Sequence, residues 1–263
     1  MILPHDQNGS GPPVVLLHAG VADRRMWAAL LPALADAGLG VLAPDLPGFG
    51  EAPVGPSPSA PWEDVLETLD ALELERVVLV GNSFGGLVAK RVAVVAPERI
   101  AALALISVPP EEADGEPSSE LGAVWEAEEA ALERDDIEAA VAVVVEAWTL
   151  PGAPAEQREL VADMHRRALL LQSAAGEPEY APDPFELDPD ALQQLDVPIL
   201  VAAGEHDMSD FHLVAAQLAA DLPGARQETI SGAGHLAPLE QPEAVRLLLL
   251  ELAAAAHGRG FSA

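Results

Sequence analysis

The stretch Gly81-Asn82-Ser83-Phe84-Gly85-Gly86 places a hydroxyl with a glycine two residues away on either side. It follows the apolar run Val77-Val78-Leu79-Val80 and precedes the helix-forming residues 87–93. A serine between a strand and a helix stands clear of a sheet only where the backbone bends sharply, and that bend demands small neighbours. The helix that follows directs its free N–H groups and the positive end of its dipole toward any oxyanion formed there. Serine is a weak nucleophile and needs a base. His235, in the glycine-rich Ile230-Ser231-Gly232-Ala233-Gly234-His235, can supply one. An imidazole in that role needs a carboxylate to set its tautomer and stabilise its cation. Asp207, closing Gly204-Glu205-His206-Asp207, fits, with Asp210 a nearby rival and Glu205 a weaker one.

The remaining requirement is a pair of donors for a substrate oxygen. His18-Ala19-Gly20 follows the apolar run Val14-Val15-Leu16-Leu17, and a loop there can offer the backbone N–H of Gly20, with Val21 less favoured. The second donor is the N–H of Phe84. His18 reads as a residue that holds this loop rather than one that moves a proton. His206 and His212 read as bystanders. A metal site built from His206, Asp207, Asp210 and His212 is disfavoured, because no further cluster supports it.

These residues need a frame. Short apolar runs that do not alternate with polar residues recur at 14–17, 41–43, 77–80, 103–106 and 199–202, as expected of strands covered on both faces. Helical stretches between them imply right-handed crossovers and a doubly wound, mostly parallel α/β sheet. Residues 225–231 read as a weaker last strand, and residues 2–10 as an antiparallel edge strand. In such a sheet ligands bind beyond the carboxyl ends of the strands, where Gly20, Ser83, Asp207 and His235 all fall. The rhythm breaks at residues 109–190. Residues 121–148 and 155–171 read as helical there, and Pro178, Pro182, Pro184 and Pro189 break up the return. This segment is expected to be a helical cap inserted before the acid-bearing strand and packed over the sheet edge. Residues 1–108 and 191–263 then form the core.

Composition narrows the classes. The 263 residues carry 43 acidic and 13 basic groups, a net charge of −30. Residues 109–190 hold 22 acidic residues against four arginines, so more than half of the excess sits in the insertion. The excess reads first as a solvated anionic surface, since exposed charges more than about 10 Å apart are screened at ordinary salt. It works against nucleic acid, whose phosphates call for lysine and arginine. With no cysteine there is no disulfide, thiolate metal site or cysteine nucleophile. No apolar run reaches the roughly 18–20 residues of a membrane span. Residues 1–6 lack a secretory signal's pattern, so a cytoplasmic protein is expected.

The chain resembles the α/β-hydrolase superfamily, in the branch with a helical cap that holds esterases, enol-lactonases and carbon–carbon hydrolases. The likeness rests on Leu17-His18-Ala19-Gly20, Arg25-Met26-Trp27, Pro44-Asp45-Leu46-Pro47-Gly48-Phe49-Gly50 and the serine, aspartate and histidine segments above. It ends in Gly234-His235 followed by Glu240-Gln241-Pro242. The resemblance implies a Ser83–His235–Asp207 triad acting on a small ester or lactone, with no cofactor and no metal. Family members often carry His-Gly-Gly or His-Gly-x where this chain has His18-Ala19-Gly20. The short N-terminus implies that the family's usual first edge strand is absent. Members that open epoxides or displace halide use aspartate at the nucleophile position, so Ser83 argues against both. Two other readings stay open: an enol-lactonase or carbon–carbon hydrolase on a carboxylate-bearing substrate, and a ligand-binding protein without catalysis. An arginine facing the pocket, such as Arg24, Arg25, Arg166 or Arg167, would favour the former. Trp125, Trp148, Met164 and Phe185 are candidate pocket residues of the cap.

Overall fold

The apolar runs become strands because each is buried along its length. In the computed structural model, which describes residues 1–55, 57–111, 115–176 and 179–261, seven strands form one sheet. They are β1 (His5–Asn8), β2 (Pro13–Leu17), β3 (Gly40–Pro44), β4 (Val77–Asn82), β5 (Ile100–Ile106), β6 (Ile199–Gly204) and β7 (Ala225–Ile230). The order across the sheet is β1-β3-β2-β4-β5-β6-β7. Only β1 runs antiparallel, against β3, and all other pairs are parallel. Every residue of β4, β5 and β6 is buried, whereas β1 and β7 at the edges are largely open. That gradient explains why the central strands are continuous apolar runs and β7 reads weakly.

Helices α1 (Leu30–Ala35), α2 (Pro61–Ala71) and α3 (Phe84–Val95) fall between the early strands. Three more, α4 (Ser119–Leu132), α5 (Ile137–Trp148) and α6 (Ala155–Ala175), lie between β5 and β6. They are followed by α7 (Ser209–Asp221), the short α8 (Ala237–Glu240) and α9 (Pro242–His257). α2 pairs with α3 against β4, α1 packs with α9 against β3 and β5, and α7 lies on β6 and β7. Among the described residues no helix is long and apolar enough to cross a membrane.

The insertion departs from the sequence reading in two ways. Residues 121–148 are two helices rather than one stretch. Asp135 takes a left-handed conformation (φ 56°), and the Asp136 side chain accepts the Ala139 N–H at 3.1 Å to start α5. The insertion also lies over strand ends rather than along an edge strand. The Arg25 guanidinium meets Asp163 at 2.8 Å, the Gln172 amide donates to the Gly48 carbonyl at 3.2 Å, and Asp210 accepts from Ser118. Residues 25, 48 and 210 follow β2, β3 and β6 respectively. Pro178 lies outside the described residues.

Candidate active site

Ser83 sits between β4 and α3 with φ 54° and ψ −119°, a strained conformation for a residue with a side chain. The flanking glycines are a steric necessity. A Cβ on Gly81 would come within 2.2 Å of the Gly85 carbonyl oxygen, and one on Gly85 within 2.4 Å of the Leu17 oxygen. The Ser83 N–H donates to the Ile106 carbonyl at 2.8 Å, tying the bend to β5. Phe84 is the first residue of α3, so its N–H has no carbonyl one turn back within the helix. Gly20 is its neighbour: a Cβ on Gly20 would lie 3.3 Å from the Phe84 Cβ. Gly20 and Phe84, the residues expected to offer the two donors, are therefore neighbours.

His18 is fully buried beside them. Its Nε2 accepts the Leu46 N–H at 2.8 Å, so Nδ1 carries the proton and donates to the Ala19 carbonyl at 2.9 Å. Burial holds its pKa below the ordinary histidine value. This neutral ring clamps the Gly20 loop to the loop after β3, the role expected of it.

Asp207 and His235 meet across adjacent loops. The β6–β7 ladder runs to Gly204 opposite Ile230, and the His206 N–H then donates to the Ala233 carbonyl at 2.8 Å. His235 Nδ1 lies 3.2 Å from both Asp207 oxygens, with both side chains buried. The rivals are occupied elsewhere. Asp210 accepts the Ser118 N–H at 2.7 Å and its hydroxyl at 2.6 Å, anchoring the start of α4. Glu205 accepts the Ser231 hydroxyl at 2.7 Å and the Gly232 N–H at 2.8 Å. Of the four residues considered as a metal set from sequence, Asp207 meets His235 and Asp210 binds Ser118.

Several residues of the site escaped sequence reasoning. The Asn82 amide donates to the His235 carbonyl at 3.3 Å and the Ile106 carbonyl at 3.2 Å, joining the serine strand to the histidine loop. This bond links the two halves of the site, while among the described residues no hydrogen bond joins the Ser83 hydroxyl to the imidazole. Glu240 accepts the Gly234 N–H at 2.6 Å, and burial pushes its carboxyl pKa up. Gln241 donates to the Gly232 carbonyl at 3.1 Å. The Glu240-Gln241-Pro242 motif was the available signal for both. Gly204 permits the loops to meet, since a Cβ there would come within 2.0 Å of the Gly234 carbonyl oxygen.

Among the described residues two cavities flank this assembly, beside a third of about 630 Å³ that Phe84 and Arg91 line. One of about 310 Å³ is lined by Gly20, Phe49, Phe84, Gln172 and Tyr180. The other, a cleft of about 720 Å³ between α4 and α5, reaches Trp148, Asp207 and His235. Of the other candidate pocket residues, Met164 is buried with its sulfur 3.4 Å from the Asp23 nitrogen, Phe185 lies under Lys90 and Arg91, and Trp125 is exposed. The candidate arginines are largely committed. Arg24 pairs with Asp6, Asp45 and Glu51, Arg25 with Asp23 and Asp163, and Arg166 with Glu138, while Arg167 is exposed.

Comparison with known proteins follows this geometry. The model of the alpha/beta hydrolase fold family matches residues 12–242. A thermophilic esterase from Thermogutta terrifontis superposes with a TM-score of 0.76 at 27% identity, over 97% of this chain and 94% of that one. The 2-hydroxymuconate semialdehyde hydrolase of Pseudomonas sp. (strain CF600) is 40% identical over 109 residues, 39% of this chain and 38% of that protein. Bifunctional epoxide hydrolase 2 of Sus scrofa is 36% identical over 106 residues, 38% of this chain and 19% of that protein. The chain thus spans less than two-fifths of the length of these two curated relatives.

Proposed function

Since the chain belongs to the alpha/beta hydrolase fold family, we propose that it is a serine hydrolase that cleaves a small carboxylic ester or lactone through an acyl-enzyme. Ser83 attacks the carbonyl carbon while His235 takes its proton. Asp207 holds the imidazole and stabilises its cation. The amides of Gly20 and Phe84 receive the oxyanion, and each such donor is worth on the order of 3 kcal/mol in the transition state. His235 returns the proton to the leaving oxygen, and water then releases the acid by the same route. Residues 109–190 cap the site, over a core of residues 1–108 and 191–263.

The observation that carries this reading is the strained Ser83 at φ 54°, beside a loop in which His235 is paired with Asp207 at 3.2 Å. Catalytic hydrogen bonds are commonly loose until substrate binds, so the serine–imidazole bond is expected to form in the complex. The Sus scrofa relative does not transfer its chemistry here, because Ser83 stands where epoxide opening calls for a carboxylate nucleophile. A carboxylate-bearing substrate, as for a carbon–carbon hydrolase or an enol-lactonase, is disfavoured by the ion pairs that occupy Arg24, Arg25 and Arg166.

The test is Ser83→Ala on a small aryl ester, alongside labelling of the unaltered protein by a fluorophosphonate probe. Labelling at Ser83, and loss of turnover in a correctly folded variant, are expected. Retained turnover ends the mechanism, and an unlabelled protein that still binds ligand favours binding without catalysis.

A further inference from the structure

The imidazole of His235 is held on three sides, and only one of them is the carboxylate. Both Asp207 oxygens lie 3.2 Å from Nδ1, at the long end of hydrogen-bond geometry. Such a contact sets one edge of the ring but resists tilting only weakly. Two aromatic rings from distant parts of the chain also pack against the imidazole, each tilted to it. Trp148, the last residue of α5, lies with its ring centroid 4.3 Å from that of His235. Phe211, in the first turn of α7, lies at 4.4 Å. The two aromatics also meet each other edge-on at 5.7 Å and 81°. All three side chains are almost completely buried.

The neighbours of both aromatics are fastened. Thr149 donates its hydroxyl to the Val145 carbonyl at 2.6 Å and accepts from Arg158 of α6 at 2.8 Å, so the end of α5 is locked to the next helix. Asp210, next to Phe211, binds Ser118, the residue that caps α4. The insertion and α7 are thus joined where their aromatics close on the imidazole. A proton must pass between a serine oxygen and a leaving oxygen at this ring, and a misplacement of about 1 Å can cost about a hundredfold in rate.

We propose that Trp148 is a positioning residue for His235, so that the helical insertion supplies part of the geometry of proton transfer as well as covering the site. The proposal rests on His235 being the base. Phe211, in contact with Trp148, does the same from an adjacent side.

The experiment measures the rate of Ser83 labelling by a fluorophosphonate, and kcat and KM on an aryl ester, for Trp148→Phe, Trp148→Leu, Trp148→Met and Phe211→Leu in the full chain. Circular dichroism melts identify the variants that fold, and two aliphatic replacements at position 148 guard against the loss of one. The aliphatic variants are expected to lower kcat and the labelling rate by about 10- to 100-fold while KM moves by no more than about twofold. Trp148→Phe, which keeps a ring on the imidazole face, is expected to restore most of the loss. A folded aliphatic variant labelled at the rate of the unaltered protein overturns the proposal. So does a Trp148→Phe protein as slow as the aliphatic ones, since bulk alone would then explain the effect. If the unaltered protein itself fails to label at Ser83, the serine-hydrolase reading falls and takes the proposal with it, so the two failures are told apart.

Discussion

The loops that carry Ser83, Asp207 and His235 and the helices of the insertion are attached to the sheet by different means. Where those loops join strands and helix, backbone meets backbone so closely that glycine alone fits: at Gly81, Gly85 and Gly204 an added Cβ would come within 2.2, 2.4 and 2.0 Å of a carbonyl oxygen. The insertion is attached mostly through side chains, by Arg25–Asp163, Gln172–Gly48, Asp210–Ser118 and the contact of Trp148 with His235, with one backbone tie in which Ser59 bonds to Glu179 and Ala181 at 2.6 and 2.9 Å. Backbone contacts of that kind admit no gradual change, whereas side-chain ties can be exchanged one at a time. The geometry around Ser83, Asp207 and His235 therefore rests on fixed backbone contacts, and that of the insertion on ties that can vary.

Substitutions can break that contrast. Gly85→Ala, which drives a methyl group into the Leu17 carbonyl, is expected to cost about 3 kcal/mol or more, read as a fall in the urea midpoint or loss of soluble protein. In contrast, Asp207→Asn should leave the fold intact and lower kcat by about 10,000-fold, because the wrong imidazole tautomer is held. A melt and an aryl ester assay on the same sample separate these two outcomes.

Smaller effects are expected in the insertion. Asp210→Ala removes both bonds to Ser118 and should lower stability by about 2 kcal/mol in urea unfolding. Asp163→Ala breaks an ion pair that is more than half exposed at the carboxylate, and should cost about 1 kcal/mol or less. If Asp163→Ala destabilised the protein as much as Gly85→Ala, the distinction between the two kinds of attachment would be lost.

The loop region also carries a pH signature. The buried His18 is neutral in the folded chain with its pKa lowered, so unfolding lets it take up a proton. Its contribution is present above the ordinary value of 6.5 and is lost as pH falls from there through the depressed folded value. Melting temperature should drop over that window, and the drop should shrink in a folded His18→Asn variant. Glu240 has the opposite sign. Its carboxyl pKa is raised, so its contribution to stability declines as pH rises above the ordinary value of 4.5 through the folded one. Glu240→Gln should accordingly gain relative stability across that rise.

Reading along the chain reached the strands, the serine bend and the loops bearing Asp207 and His235, because each is announced by neighbours within a few residues. Gly81 and Gly85 lie two residues to either side of Ser83 and serve a bend that only that spacing produces. The break at Asp135 and Asp136 was local too, yet it was hidden by the alanine-rich helical pattern on both sides. Glu240 lay in a motif and Trp148 was a candidate pocket residue, yet their partners, like those of Asn82 and Phe211, had no local sign. Trp148 and Phe211 reach His235 from 87 and 24 residues away, and what they do there depends on where α5 ends and how α7 is seated.

Local order along the chain was enough to specify a parallel sheet, a glycine-permitted bend at residue 83 and an insertion crowded with negative charge, since sterics, strand burial and charge count act over short stretches or by composition. Tertiary structure alone decided which carboxylate faces the imidazole, which arginines are occupied by acidic partners and which aromatics cover His235. Those outcomes depend on the register between β6 and β7 and on where three inserted helices come to rest. Both are set by packing between segments that are not neighbours along the chain.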